Sequence, residues 1–477
     1  MPAGEATAKE NLIARRALEH QWRYGMKSVC GLMLTGLACL TGYAEGRPPN
    51  VVIFLADDMG IADAGCYGCK DIQTPGIDAL AAAGVRLTNY YCAAPICAPS
   101  RAALLTGRYP GRIGMSPFRN IPSAMGEAGI PTVEVTFAEI ARTRGYATAA
   151  LGKWHLGSTY DTQPNAQGFQ YFLGHHASCI DSFSHVYYAS EPWYHDLYRD
   201  RDEIFEDGIH LTDLITREAL KFIDQNRERP FLLYAAYGAP HYPMVAHARF
   251  MEKYAHLPRA RRDYAAMVAG LDESLGIIMT KLRTAGLAEH TLVFLASDNG
   301  SPSPSRRGEG GGSNAPYREF KTSLFDGGIH MPGIISWPGT LPQGQTRDQL
   351  TIAMDLLPTI AEAIGAELPP GLVLDGQSWL PLLRDPAAPG HDAAFFEWNG
   401  QTAVRAGRWK LVRNGFIDQH LARQNRAAGD DALFLSDMER DPGERNNLRR
   451  QHPDIVNDLV RRLDAWQAEI RPAAAPR

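Results

Sequence analysis

Cys97-Ala98-Pro99-Ser100-Arg101 brings a thiol, a hydroxyl and a guanidinium together just ahead of the run Ala102-Ala103-Leu104-Leu105. Pro99 suits the first turn of a helix, where its missing N–H costs nothing, and Ser100 is placed to help satisfy the free amides there. A helix beginning at this point turns unpaired N–H groups toward the Cys97 side chain, an arrangement suited to an oxyanion. Arg101 adds a planar fork of donors that matches sulfate or phosphate. Two other pairs supply only oxygen: Asp57-Asp58 ends the apolar run 50–56, and Asp298-Asn299 follows the similar run 291–296. Hard donors of this kind suit Ca²⁺ or Mg²⁺ far better than zinc or copper. Lys153 and His155, in Gly152-Lys153-Trp154-His155-Leu156-Gly157, and His241, between Pro240 and Pro243, follow two further apolar runs. An isolated thiol, Asp pair or loop His is ordinarily a small hydrophobe, a cap or a solvated group. Their recurrence at the ends of separate apolar runs points instead to one metal-assisted anion pocket around a modifiable side chain.

The whole run 97–108, CAPSRAALLTGR, resembles the signature of the type I sulfatases, the formylglycine-dependent branch of the alkaline phosphatase superfamily. The segments 152–157 and 239–243 are similar to stretches of the same family, and the resemblance extends from residue 49 to about residue 448. Gly312-Ser313-Asn314 and Trp337-Pro338-Gly339 place it nearest the arylsulfatase and N-acetylgalactosamine-6-sulfatase branch. The resemblance implies that Cys97 is converted to formylglycine (3-oxoalanine), by a formylglycine-generating or anaerobic sulfatase-maturating enzyme. It implies catalytic roles for Cys97, Arg101, Lys153, His155, His241 and Lys321, with Lys153, Ser178, His241 and Lys321 on the sulfate ester. One divalent cation, Ca²⁺ with Mg²⁺ as the alternative, is implied at Asp57, Asp58, Asp298, Asn299 and residue 97. Asp298 is then expected to take a proton from the aldehyde hydrate, and His155 to act as base when sulfate is expelled. Two positions depart from the family pattern: Phe320 replaces a usual Gly before Lys321, and Asp326 replaces a usual Glu, which leaves the path of that loop open.

The reaction so implied is hydrolysis of a sulfate monoester, of a sulfated carbohydrate or an aryl alcohol, to the alcohol and inorganic sulfate. Residues 169–198, rich in Tyr, Trp and His, offer rings that could stack on a sugar. Two other readings compete. A phosphomonoester or phosphonate hydrolase of the same superfamily would use a similar pocket, but no second group of Asp and His ligands supports two-metal chemistry. A non-catalytic receptor for sulfated glycans needs no modifiable Cys.

These residues need a scaffold. The runs 50–56, 146–151, 230–236 and 291–296 read as strands buried on both faces. Helical patterns at 76–83, 132–143, 211–225, 262–285 and 354–364 alternate with them. The expected fold is α/β, a mostly parallel central sheet flanked by helices, alkaline-phosphatase-like by resemblance. In such sheets function gathers at the carboxyl ends of strands, where the residues above fall. From about residue 386 short strands separated by turns at Asn399-Gly400 and Ala406-Gly407, then a helix at 454–470, predict a small C-terminal antiparallel sheet plus helix. The expected division is 1–47 as an N-terminal extension, 48–385 as the catalytic domain and 386–477 as a C-terminal α+β subdomain. The stretch 301–314 reads as a mobile loop near the site.

The 477 residues suffice for one large domain and a smaller one. A hydrophobic content of 45% against 21% charged residues is that of an ordinary globular core, and a net charge of −5 argues against a nucleic-acid binder with a basic face. An anionic substrate must therefore be held by local cations. Met26-Lys27, an apolar stretch too short to span a bilayer and Gly42-Tyr43-Ala44 read as a signal peptide over 26–44, with export to the periplasm or beyond and Met26 as an alternative start. Cys39 offers a lipoprotein reading, ranked lower, and only then is membrane contact expected. Cys66-Tyr67-Gly68-Cys69 is a single C-x-x-C without a second pair, so a structural zinc site is not expected there, and disulfide pairing stays open.

Overall fold

The computed structural model describes residues 48–115, 125–127, 129–189, 191–304, 310–417 and 426–471. The expected signal over 26–44, Cys39 and Met26 lie outside the described residues, as does 305–309 of the loop expected to be mobile.

The large sheet has ten strands: β1 (Asn50–Ala56), β2 (Val85–Leu87), β3 (Ala147–Lys153), β4 (Tyr171–His175), β5 (Tyr198–Arg199), β6 (Asp202–Glu203), β7 (Phe231–Ala236), β8 (Thr291–Ser297), β9 (Gly333–Ser336) and β10 (Gln345–Arg347). Their spatial order is β10-β2-β9-β8-β1-β7-β3-β4-β5-β6. The central strands β8, β1, β7, β3 and β4 run parallel. Strand β1 lies in the middle, and all seven of its residues are buried. Alternation along β1 explains why it is apolar throughout. Val51, Ile53 and Leu55 join one core cluster, and Val52, Phe54 and Ala56 join the other. Helices α1 (Pro75–Ala82), α4 (Leu211–Gln225) and α5 (Arg259–Thr284) close the second face. Helices α2 (Cys97–Thr106), α3 (Phe137–Thr143) and α6 (Leu356–Ala363) close the first.

The flanks are antiparallel at the β8/β9, β9/β2, β4/β5 and β5/β6 pairings. These strands have two to four residues, too few to show a period in the sequence. Helix α3 starts at Phe137 rather than at 132, because Thr136 and Glu139 form a reciprocal capping box that fixes the first turn there. Helix α5 begins earlier than expected, at Arg259, directly after Pro258.

The expected C-terminal unit consists of β11 (Ala393–Trp398), β12 (Gln401–Ala406), β13 (Trp409–Arg413) and β14 (Leu433–Asp437), antiparallel in that order, with helix α7 (Pro453–Ile470) packed on β12 and β13. Asn399 and Gly400 both have positive φ, 45° and 77°, as a two-residue hairpin turn requires. Phe396, Val404, Leu411 and Leu463 share the core cluster of Val51 and Ile53. Cys66, Cys69, Cys92, Cys97 and Cys179 are all free thiols.

Candidate active site

Strand register assembles the site. Ala56 pairs with Ser297, so Asp57-Asp58 and Asp298-Asn299 leave adjacent strands side by side. Asp58 turns back with φ 67°. Its backbone N–H donates to Asp298 Oδ1 at 3.1 Å, and its Oδ1 accepts from Asn299 Nδ2 at 2.7 Å. Lys153 is the last residue of β3, one strand beyond β7, and its ammonium reaches Asp57 Oδ2 at 2.6 Å.

Helix α2 brings Cys97 and Arg101 to the same place, since residues four apart share a helix face. All ten of its residues are buried, and no side chain caps its N-terminus, so the first amides stay available. Ser100 was expected to help satisfy them. Instead its hydroxyl donates to Asp298 O at 2.6 Å and fastens the helix to the end of β8. The Arg101 guanidinium donates from Nε to Asp298 Oδ2 at 2.9 Å and from Nη1 to Lys153 O at 3.2 Å. Its Nη2 lies 2.8 Å from Asp298 Oδ2 and 3.4 Å from Asp57 Oδ1.

Cys97 Sγ is 3.6 Å from Asp57 Oδ1 and 3.2 Å from Lys321 Nζ. Lys321 also contacts both Asp58 carboxylate oxygens, at 2.6 and 2.8 Å. Its loop, left open by Phe320, is tied by Lys321 N–H to Ser301 O and by Thr322 N–H to Pro95 O, with positive φ at Glu319 and Thr322. His241 Nε2 stands 3.6 Å from Asp58 Oδ2, while its Nδ1 is held at 2.6 Å by Tyr242 O. A cleft of about 360 Å³ opens over this cluster, lined by Cys97, His155, Ser178, His241 and Lys321 among others. Every site residue named from the sequence is thus in the cluster or on the wall of the cleft. Cys179, Tyr242, Ser303 and Thr322 line it too. The sequence gives no chemical reason to single out Ser303 or Thr322, whereas Cys179 and Tyr242 could have been inferred from their neighbours Ser178 and His241.

Burial, together with Asp298 and Asp57, pushes the Cys97 thiol up to about 12 against the pull of Lys153 and Lys321. The unmodified thiol therefore stays protonated and is a poor nucleophile. Burial works to raise Asp58 as well, but Lys321, His241 and Lys153 outweigh it and hold the carboxyl well below its ordinary value. Asp298 moves the other way, raised by burial and by Asp57 against Arg101. His155 is held far below the usual imidazole value by burial and then by the surrounding cations; His241 is held far below it chiefly by burial, which with Lys321 and Lys153 outweighs the opposing pull of Asp58.

The donor set suits a hard cation. Asp57, Asp58, Cys97 and His241 offer ligand atoms within 4.8 Å of one another, and the buried Asn299 Oδ1 has no hydrogen-bond partner. Three carboxylates (Asp57, Asp58, Asp298) balance three cations (Arg101, Lys153, Lys321). A divalent ion would leave the site with surplus positive charge for an anionic ester.

Comparison with known proteins agrees with this geometry. The family model "Sulfatase" matches residues 49–366, and the model "N-sulphoglucosamine sulphohydrolase, C-terminal" matches residues 318–469. The chain is 35% identical to human arylsulfatase A over 447 residues, covering 86% of this chain and 85% of that protein. It is 36% identical to N-acetylgalactosamine-6-sulfatase of Rattus norvegicus over 487 residues, 92% and 90% of the two chains. Among solved structures, Ps i-CgsB in complex with k-i-k-neocarrahexaose superposes with a TM-score of 0.79 at 30% identity, over 88% of this chain and 93% of that one.

Proposed function

The chain belongs to the sulfatase family and is a sulfuric ester hydrolase, and we propose that its substrate is a sulfated carbohydrate and its nucleophile a formylglycine made from Cys97. The observation that carries this reading is the β1/β8 register, which sets four oxygen-bearing side chains against the N-terminus of the Cys97 helix. A thiol pushed up to about 12 is of little use as it stands, which supports its conversion. The carbohydrate assignment draws on the relatives, one named for N-acetylgalactosamine 6-sulfate chemistry and one solved with a neocarrahexaose.

Asp57, Asp58, Asp298 and Asn299, with residue 97, would hold the cation, and the all-oxygen side-chain set outside residue 97 favours Ca²⁺ over softer ions. The bound ion supplies positive charge against the sulfate oxygens. The aldehyde supplies, as its hydrate, one hydroxyl to attack sulfur and a second to release it. The residues of the chain do the rest. Asp298 takes the proton of the attacking hydroxyl, with Arg101 fixing its carboxylate. Lys153, Ser178 and the amides of α2 bind the transferred group. The negative charge of a bound ester favours the protonated form of His241, which, helped by Lys321, delivers a proton to the alcohol oxygen as the ester S–O bond breaks. His155 would then take the proton of the second hydroxyl, so that sulfate could depart with its bridging oxygen and leave an aldehyde for water to hydrate again. Export through 26–44 and conversion by a maturating enzyme complete the reading.

The deciding experiment pairs mass analysis of the peptide bearing residue 97 with sulfate release from defined sulfated mono- and disaccharides. Aldehyde at residue 97, turnover lost in Cys97→Ala, and little action on matched phosphate esters are expected. Full activity with an intact thiol would overturn the nucleophile, and faster phosphate release would favour the phosphohydrolase reading.

A further inference from the structure

A second group of ligand-type side chains lies away from the residues that line the cleft. The hairpin pairing Val186–Tyr187 with Tyr194–His195 places His185 and His195 beside Asp207. His185 Nδ1, His195 Nε2 and one Asp207 oxygen all lie within 4.8 Å of one another. The carboxylate oxygen is 3.9 Å from the first nitrogen and 3.8 Å from the second. Both nitrogens are buried and lack a hydrogen-bond partner, and His185 is fully buried.

The outer nitrogens explain what the inner ones are. His185 Nε2 faces Ile209 O at 3.1 Å, and His195 Nδ1 faces Glu203 Oε1 at 3.1 Å. A carbonyl or carboxylate oxygen only accepts, so both outer nitrogens carry the proton. Burial and the neighbouring His195 lower His185 further from its charged form. Two inner ring nitrogens and a carboxylate thus face one common space, with their ligand atoms within 4.8 Å of one another. Left empty, such buried acceptors cost stability. The outer partners are of the kind that orient metal-bound imidazoles. The two rings meet nearly at right angles, 81°, and Phe205 stacks on His195 with centroids 4.4 Å apart, which fixes its ring plane.

We propose that His185, His195 and Asp207 bind a zinc ion. Two nitrogens and one carboxylate suit zinc rather than the hard cation of the main site. Around a tetrahedral ion the ligand atoms stand about 3.4 Å apart, and rotation of the exposed Asp207 side chain shortens its 3.9 and 3.8 Å distances to the two nitrogens toward that value. The ion fastens the hairpin to the 203–209 turn. It also braces the cleft, because Asp196, next to His195, accepts the backbone N–H groups of His176 and Ala177 at 3.1 and 2.7 Å, and these lead into Ser178. None of this rests on the reaction proposed above.

The test is zinc titration of the full chain, stripped with chelator and then saturated with Ca²⁺, read by metal analysis after dialysis and by thermal unfolding. One equivalent of zinc and a raised Tm are expected. Asp207→Asn, at an exposed position, and Glu203→Gln should each weaken zinc affinity by roughly ten- to a hundredfold and remove most of the Tm shift. Asp58→Asn should leave zinc uptake intact. No zinc uptake by the stripped protein, or uptake that persists in Asp207→Asn and vanishes in Asp58→Asn, overturns the assignment.

Discussion

Arg101 is wholly buried, and its planar fork spans Asp298, Asp57 and the Lys153 carbonyl at once. Lysine keeps the charge and loses the fork. Arg101→Lys should lower kcat/KM on an aryl sulfate by about a hundredfold or more, with the far-ultraviolet circular dichroism unchanged. A thiol pushed up to about 12 also has a direct chemical test. In unmodified, metal-free protein, Cys97 should react with iodoacetamide far more slowly than free cysteine at mildly alkaline pH, as peptide mass mapping would record. The chemistry of Cys97 and Arg101 was legible from the helix start they occupy, and that of Asp57, Lys153, His241 and Asp298 because each follows a recognisable apolar run. Their conformations were not: the positive φ of His155 and Asp58 depends on packing from distant segments.

At the level of elements, close approach of strands decides where Lys153 stands. A Cβ on Gly174 would lie 1.8 Å from Gly152 O, and one on Gly152, with φ 93°, would lie 2.1 Å from Ala236 O. Gly174→Ala should therefore cost about 2 kcal/mol or more in chemical denaturation and displace the end of β3. Ser100→Ala removes the bond to Asp298 O and should cost about 1 kcal/mol. Four of the five parallel strands and the main helices could be read from the sequence, because long buried runs and 3.6-residue periods are strong signals; β4, five residues with Gly174 and His175 at its end, was not read as a strand. Helix α4 lies at 211–225 as expected. The edge strands, a few residues each, could not be read. The start of α3 could have been, since Thr136 and Glu139 carry the capping-box spacing.

Across the molecule, two sequence features meet that gave no hint of each other. Asp326, the departure noted after Lys321, and Glu444, in Asp441-Pro442-Gly443-Glu444, converge on Lys410 of β13. Lys410 Nζ lies 2.5 Å from Asp326 Oδ1 and 3.1 Å from Glu444 Oε1, with all three side chains fully buried. Glu444 Oε2 accepts the Asp326 N–H at 2.6 Å. Charged residues in a sequence read as surface, so this link between the Lys321 loop and the C-terminal sheet was invisible. Lys410→Met should destabilise the protein by about 3–5 kcal/mol, because two buried carboxyls lose their partner. Burial, aided by Asp326 and opposed by Lys410, pushes Glu444 from 4.5 up to about 7. Below 4.5 both folded and unfolded chains hold that proton. Between 4.5 and about 7 the unfolded chain gives it up first, so this group lowers stability as pH rises through that window. Glu444→Gln should flatten that part of a denaturation-midpoint profile against pH. The central place of β1 has a consequence for synthesis. Among the described residues β1 is the first strand made, and it must wait for β7 and β8, the latter ending at Ser297, before both its edges are covered. Until then the segment around Cys97 has no lid of finished protein over it, and the conversion proposed for that thiol would find it open while the polypeptide is still emerging from the ribosome.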